Sequence, residues 1–149
     1  MFYKNSISVI SAYLLMSTSL MAANPSKAKL PKNCQYLKEV ATNQTHIRKS
    51  IDSIVGNNFD TDFAVPTGER FTSYKASMLP ENVGTYGVTI NLKYPDNSVS
   101  TAFRKNVEMT RKLYSLDFKP PTKAQPYQIN LNINGSNKNA YTIAVIACK

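Results

Sequence analysis

The sequence predicts an α+β domain: a mainly antiparallel sheet of three to four strands, with a long N-terminal helix and a second helix on one face. Three observations carry this. Apolar residues between Cys34 and Val55 recur at helical spacing. Two later segments, around Ile90 and around Leu131, alternate apolar and polar residues as half-buried strands do. The stretch from Tyr141 to Cys148 is almost continuously apolar, as a well-buried strand would be.

The chain begins outside that domain. Lys4 is the only charge before Lys27, and between them lies an apolar stretch centred on Leu14, Leu15, Met16, Leu20 and Met21. Small residues follow at Ala22 and Ala23. A basic start, a short apolar run and small residues at its end predict a secretory signal peptide over residues 1–23, cleaved after Ala22 or Ala23. The run is shorter than the roughly 20 apolar residues a spanning helix needs, and serines interrupt it. Residues 24–149 then form a single exported domain, with the periplasm the expected compartment and the extracellular space the alternative. No membrane span is expected after signal removal.

Residues 24–33 read as a polar lead-in, and Asn33 as a helix N-cap. In the segment that follows, Leu37, Val40, Ala41, Ile47, Ile51, Ile54 and Val55 share one helical face, and Gly56 supplies the stop. Residues 57–82 are irregular by pattern, with a strand expected somewhere between Arg70 and Met78. Tyr86, Val88, Ile90, Leu92 and Tyr94 mark a strand with one wet face, closed by the turn residues Pro95, Asp96, Asn97 and Ser98. Phe103, Val107, Thr110 and Tyr114 fit a helical stripe, which favours a helix over residues 101–115 against a strand beginning at Val99. Tyr127, Ile129, Leu131 and Ile133 mark another strand. Asn134-Gly135-Ser136-Asn137 is a hairpin turn signal leading into the last strand.

Two cysteines remain after signal removal, Cys34 and Cys148. Two lone cysteines in a small exported domain are expected to pair. With one histidine and no further cysteine, they have no partners to complete a metal site. No metal and no cofactor is expected. The five glycines are isolated, so no phosphate-cradling loop exists and no nucleotide is expected.

Catalysis finds little support. His46, the single histidine, has no nucleophile motif to serve and is expected to be a partly exposed helix residue. The chain is therefore expected not to be an enzyme. The alternative is a small secreted hydrolase acting on cell-wall glycan through carboxylates among Asp60, Asp62, Glu69 and Glu81. Asp60-x-Asp62 lacks the glycine and distal glutamate of a calcium loop and reads as a solvated turn. A nuclease ranks lowest, since two-histidine chemistry is absent.

The net charge of +9, one unit of which leaves with Lys4, points to an anionic partner. Export argues against nucleic acid. Arg104, Lys105, Arg111 and Lys112 would share a face of the second helix and form a basic patch, the candidate binding site for a protein with an acidic surface. The wet face of the 127–134 strand is a row of amides, Gln128, Asn130, Asn132 and Asn134. Asparagine is disfavoured in strands, so the row invites a binding role, toward a sugar or another strand, beside the plainer role of an uncharged wet face.

Residues 84–133 resemble the C-terminal domains of the periplasmic proteins TonB and TolA. The residues that carry this are Gly84-Thr85-Tyr86-Gly87-Val88-Thr89-Ile90-Asn91-Leu92, then Pro95-Asp96-Asn97-Ser98-Val99. Later come Leu116-Asp117-Phe118-Lys119-Pro120-Pro121 and the strand from Tyr127 to Ile133. The second strand is shortened here, and the closing hairpin is extra. The resemblance implies a small α+β interaction module without an active site. Together these readings predict a non-catalytic periplasmic protein-binding protein, either an envelope adaptor or a toxin-neutralising immunity protein.

Overall fold

The computed structural model describes residues 29–52 and 59–149. The signal segment and the expected helix stop at Gly56 lie outside the described residues.

Among the described residues there is no helix, and the α+β expectation is overturned: the chain is an all-β sandwich of two antiparallel five-stranded sheets. One sheet runs in the order β1 (Cys34–Tyr36), β10 (Ala140–Cys148), β5 (Ser73–Pro80), β8 (Tyr114–Phe118), with β3 (Ile47–Ser50) also paired to β10. The other runs β2 (Lys38–Glu39), β4 (Asp60–Ala64), β9 (Gln128–Gly135), β6 (Gly84–Lys93), β7 (Val99–Met109).

Both expected helices fail for the same reason. Ile47 and Ile51, and Phe103 and Val107, are four residues apart, a spacing that serves a helix face and a strand face equally. In the fold Ile47 and Ile51 are buried, whereas Val40 is 59% exposed. The chain between them turns sharply. Glu39 accepts hydrogen bonds from the Ala41 and Thr42 amides and from the Thr42 hydroxyl (3.1, 2.6 and 2.7 Å). Asn43 takes φ 61°, a left-handed conformation that no helix interior contains. Side-chain bonds of this kind compete directly with helical backbone pairing. Phe103 and Val107 lie opposite Ile90 and Tyr86 in the β6–β7 ladder and pack against the core. The helix implied between the second and last strands of the TonB/TolA resemblance is thus strand here.

The strands expected from alternation form where expected, as β6 and β9. Residues 73–80 form β5, with every second side chain buried. Asn97 (φ 66°) turns the chain between β6 and β7, where the Asp96 carboxylate accepts from the Ser98 amide and hydroxyl. Asn134 to Asn137 do not make a hairpin. β9 already has β4 and β6 as neighbours, and β10 is flanked by β5 on one side and by β1 and β3 on the other. The segment therefore arches from one sheet to the other.

The core lies between the sheets. Phe63, Tyr86, Val88, Ile90, Leu92, Ile129, Leu131 and Ile133 face Tyr74, Met78, Tyr141, Ile143 and Val145. Tyr86 and Tyr141 meet edge to face across the sandwich at 6.4 Å. Each such buried side chain stabilises the fold by about 1.5–3 kcal/mol.

Cys34 and Cys148 are bonded, and they are directly opposite in the β1–β10 ladder. The bridge is consistent with an exported protein. Among the described residues no helix is long and apolar enough to cross a membrane.

Candidate functional site: the polar face of the second sheet

Because strand side chains alternate, burying Ile129, Leu131 and Ile133 forces Gln128, Asn130, Asn132 and Asn134 onto the opposite face. Register then sets their neighbours. Asp60 and Asp62 on β4 lie opposite Asn132 and Asn130. Thr89 and Asn91 on β6 lie on the other side of the same two residues. Beyond them stand Arg104 and Thr101 on β7. The outer face of this sheet is therefore a platform of amides and hydroxyls with the Asp60 and Asp62 carboxylates and the Lys93 ammonium at one end, and Arg104 and Glu108, the latter bonded by the Thr85 hydroxyl, toward the other.

The platform is wired. Thr101 Oγ1 donates to Asn91 Oδ1 (2.9 Å), and Asn91 Nδ2 donates to Asn130 Oδ1 (3.4 Å). Asn130 Nδ2 donates to Asp62 Oδ1 (2.9 Å) and to Asp60 Oδ1 (3.2 Å). Asn132 Nδ2 also donates to Asp60 Oδ1 (3.0 Å), and Lys93 Nζ to Asp62 Oδ1 (3.2 Å). One directed chain of hydrogen bonds thus crosses four strands and ends on carboxylates. An ionised carboxylate only accepts, so the aspartates dictate which way each amide points. Asn130, at 5% exposure, is among the most buried polar residues of the fold, and its bonds offset the cost of that burial.

Burial pushes the Asp62 carboxyl up, but the side chains of Asn130, Gln128 and Lys93 outweigh it and hold the group below the usual carboxylate range. Asp62 is then ionised at neutral pH and is no proton donor.

At the far end of the platform the wiring stops. Thr89, Arg104, Asn106 and Asn134 surround an open hollow of about 370 Å³ at Gly87. A Cβ at Gly87 would stand 2.2 Å from Asn134 Oδ1, so the absence of a side chain lets the Asn134 amide lie flat across the sheet. Among the described residues, the side chains of Thr89, Arg104, Asn106 and Asn134 have no hydrogen-bond or ion-pair partner.

The basic patch does not assemble as a helix face, since there is no helix. Arg104 points out of the second sheet, whereas Lys105, the next residue along the strand, pairs with the inward-facing Val88 and points the other way. Arg111 and Lys112 sit in the exposed turn between β7 and β8. Of the four carboxylates of the hydrolase reading, Asp60 and Asp62 come together, whereas Glu69 and Glu81 lie elsewhere in ion pairs of their own. Glu81 is held by both ends of the Arg48 guanidinium (2.6 and 2.8 Å), and Glu69 pairs with Lys149 (3.3 Å). Asp60 and Asp62 are tied to Asn130 on an open face, in a strand and not in the expected solvated turn. His46 precedes β3, where its ring meets Tyr36 at 4.7 Å and its Nδ1 shares a hydrogen bond with the Thr45 hydroxyl. Among the described residues no three His, Cys, Asp or Glu side chains are placed to hold a metal ion.

The amide row was legible in the sequence, and so was its place on the face away from the core, whereas the burial of Asn130 beneath its neighbours was not. The aspartates and Arg104 as its neighbours were not, because their pairing joins strands up to 72 residues apart.

No family model matches the chain, and no curated protein matches it. Solved structures align with it at low similarity. A variant of the family 29 carbohydrate-binding module CBM29-2 aligns with a TM-score of 0.45 at 9% identity, over 78% of this chain and 91% of that one. Another CBM29-2 variant, complexed with mannohexaose, aligns with a TM-score of 0.46 at 9% identity, over 80% and 83%. The enzymatically active domain of the bacteriophage CBA120 tailspike protein 4 gives 0.39 at 13% identity, covering 76% of this chain and 19% of that one. At such distances the functional reading rests on the chain's own residues.

Proposed function

We propose that this is a non-catalytic, exported saccharide-binding protein whose site is the outer face of the β4–β9–β6–β7 sheet. The observation that carries the reading is the directed chain from Thr101 through Asn91 and Asn130 to the two aspartates. A sugar hydroxyl is both donor and acceptor, and fixed amides and carboxylates on one open face match that pairing. Neighbouring strands stand about 4.8 Å apart, which places such groups at the spacing of a sugar ring. The side chains are oriented before a ligand arrives, which lowers the ordering cost of binding.

A net gain of about 1 kcal/mol per hydrogen bond sets the affinity scale, so binding in the micromolar to millimolar range is expected. Screening the mature protein on a printed glycan array, followed by calorimetry on the binders, tests the reading. Asn91→Ala, which breaks the chain at its middle, should weaken binding about tenfold while the fold persists. Failure to bind any saccharide at millimolar concentration would sink the proposal.

A second reading, the envelope adaptor or immunity role with an acidic protein partner, is favoured by one observation. β7 is an 11-residue strand at the end of its sheet, with β6 as its one ladder partner among the described residues. An extended partner segment would pair along it. Against this stand the irregularity where Ala102 is extra in the register and the charges at Arg104 and Lys105, devices that protect edges from pairing. Recovery of a protein from envelope extract by the native chain, lost on Val107→Pro, would favour this second reading.

A further inference from the structure

We infer that the ligand of this face is a saccharide carrying a carboxylate, and that the hollow at Gly87 is the subsite that takes the acidic residue. This rests on the saccharide reading above and narrows it. The face is polarised. Its β4 edge carries Asp60 and Asp62, whereas its β7 half carries Arg104 at the hollow, with Glu108 further along the strand and already engaged by the Thr85 hydroxyl. The two aspartates are already satisfied by Asn130 and Asn132, whereas Arg104, Asn106, Asn134 and Thr89 present unused hydrogen-bonding groups around one open space.

Those groups suit a carboxylate. A guanidinium offers parallel N–H donors that match its two oxygens, and such charge-assisted pairs are about twice as strong as neutral ones. The Asn134 amide, laid flat over Gly87 with its Oδ1 nearest the glycine, brings its Nδ2 donor to the same hollow. Neutral hydroxyls would then lie along Asn132 and Asn91 toward β4, with Asn130 beneath, bonded to Asn91 and, through Asp60, to Asn132. A polymer charged along its whole length is disfavoured, because its further anions would meet Asp60 and Asp62. The ligand is therefore a chain of mostly neutral sugars with an acidic residue at the β7 end.

The test uses the mature protein, its Arg104→Ala and Arg104→Lys variants, and an array carrying neutral, carboxylated and polysulfated saccharides. Each carboxylated binder is then measured again as its methyl ester. The native protein should prefer free acid over ester by about tenfold. Arg104→Ala should bring free acid and ester to the same affinity, and Arg104→Lys should keep only part of the preference. Native protein that binds acid and ester equally, or that selects only neutral or only polysulfated saccharides, would overturn the assignment of the hollow and leave the saccharide reading standing. An Arg104→Ala variant that still prefers the free acid would do the same. Absence of binding to every saccharide on the array would overturn both.

Discussion

Asn130 and Asp62 face each other across the β4–β9 ladder and are joined by a 2.9 Å hydrogen bond from the amide to the carboxylate. The amide is buried and the aspartate is half-buried, so the bond couples the order of the polar face to the stability of the sheet beneath it. The same Asn130 accepts from Asn91, so one residue holds the acidic and neutral halves of the platform in register.

Replacing Asn130 by alanine should therefore act on both. The aspartates lose a shared donor, and the protein should lose about 1–2 kcal/mol of stability by urea unfolding. The Asp62 carboxyl should titrate at higher pH in the variant, by carbon-detected NMR. A variant of unchanged stability and unchanged Asp62 titration would remove the coupling.

The depressed Asp62 carboxyl gives a pH dependence of known sign. Its folded value lies below its unfolded value of about 3.9, so unfolded protein binds the proton more readily. The contribution is fully present above the unfolded value and is lost as pH falls through the folded one. Urea midpoints measured from pH 7 downward should therefore drop more for the native protein than for Asp62→Asn. Parallel acid limbs would show that Asp62 is not the group responsible.

Tyr74 makes a contrasting case. Its ring stacks on Phe118 at 5.7 Å, but its buried hydroxyl has no hydrogen-bond partner among the described residues. Burial pushes the phenol up to about 12, so the neutral form is favoured in the fold. That contribution is present below the unfolded value of about 10 and is lost as pH rises toward the folded one. Tyr74→Phe should be neutral or more stable by up to about 1 kcal/mol, because it removes an unsatisfied polar atom. Clear destabilisation in urea would mean the hydroxyl has a partner.

The Cys34–Cys148 bridge closes a separation of 114 residues. Opening it should cost on the order of 4–5 kcal/mol on the chain-entropy account, comparable to the net stability of a small domain. Thiol counting on denatured, unreduced protein should find none free, and the double alanine variant should melt well below the native protein. Two titratable thiols in the unreduced protein would contradict the bridge.

Gly87→Ala tests the hollow without touching a charge. A Cβ there collides with the end of the Asn134 side chain, which is exposed and free to swing away. Stability should change by less than about 1 kcal/mol, while saccharide affinity falls as Asn134 leaves the floor. Unaltered affinity would place the ligand elsewhere on the face.

Taken by itself, the sequence determined the elements whose signal is local. Alternation over Tyr86, Val88, Ile90 and Leu92 defines β6, and the residues at Asp96 and Asn97 define its turn, because pleat and turn geometry act within a few residues. The amide row was equally readable, since burying one face of β9 in the core turns the row to the other. The cysteine pairing followed from composition and export. Tertiary structure alone decided the rest. Ile47 with Ile51, and Phe103 with Val107, carry a spacing common to helix and strand, and only a neighbouring strand with open hydrogen-bonding groups selects the strand. Whether Asn134 to Asn137 makes a hairpin or an arch depends on which edges are already occupied. The union of Asp60 and Asp62 with Asn130, and of Arg104 with Gly87, joins positions far apart in the chain through ladder register, which no local periodicity records.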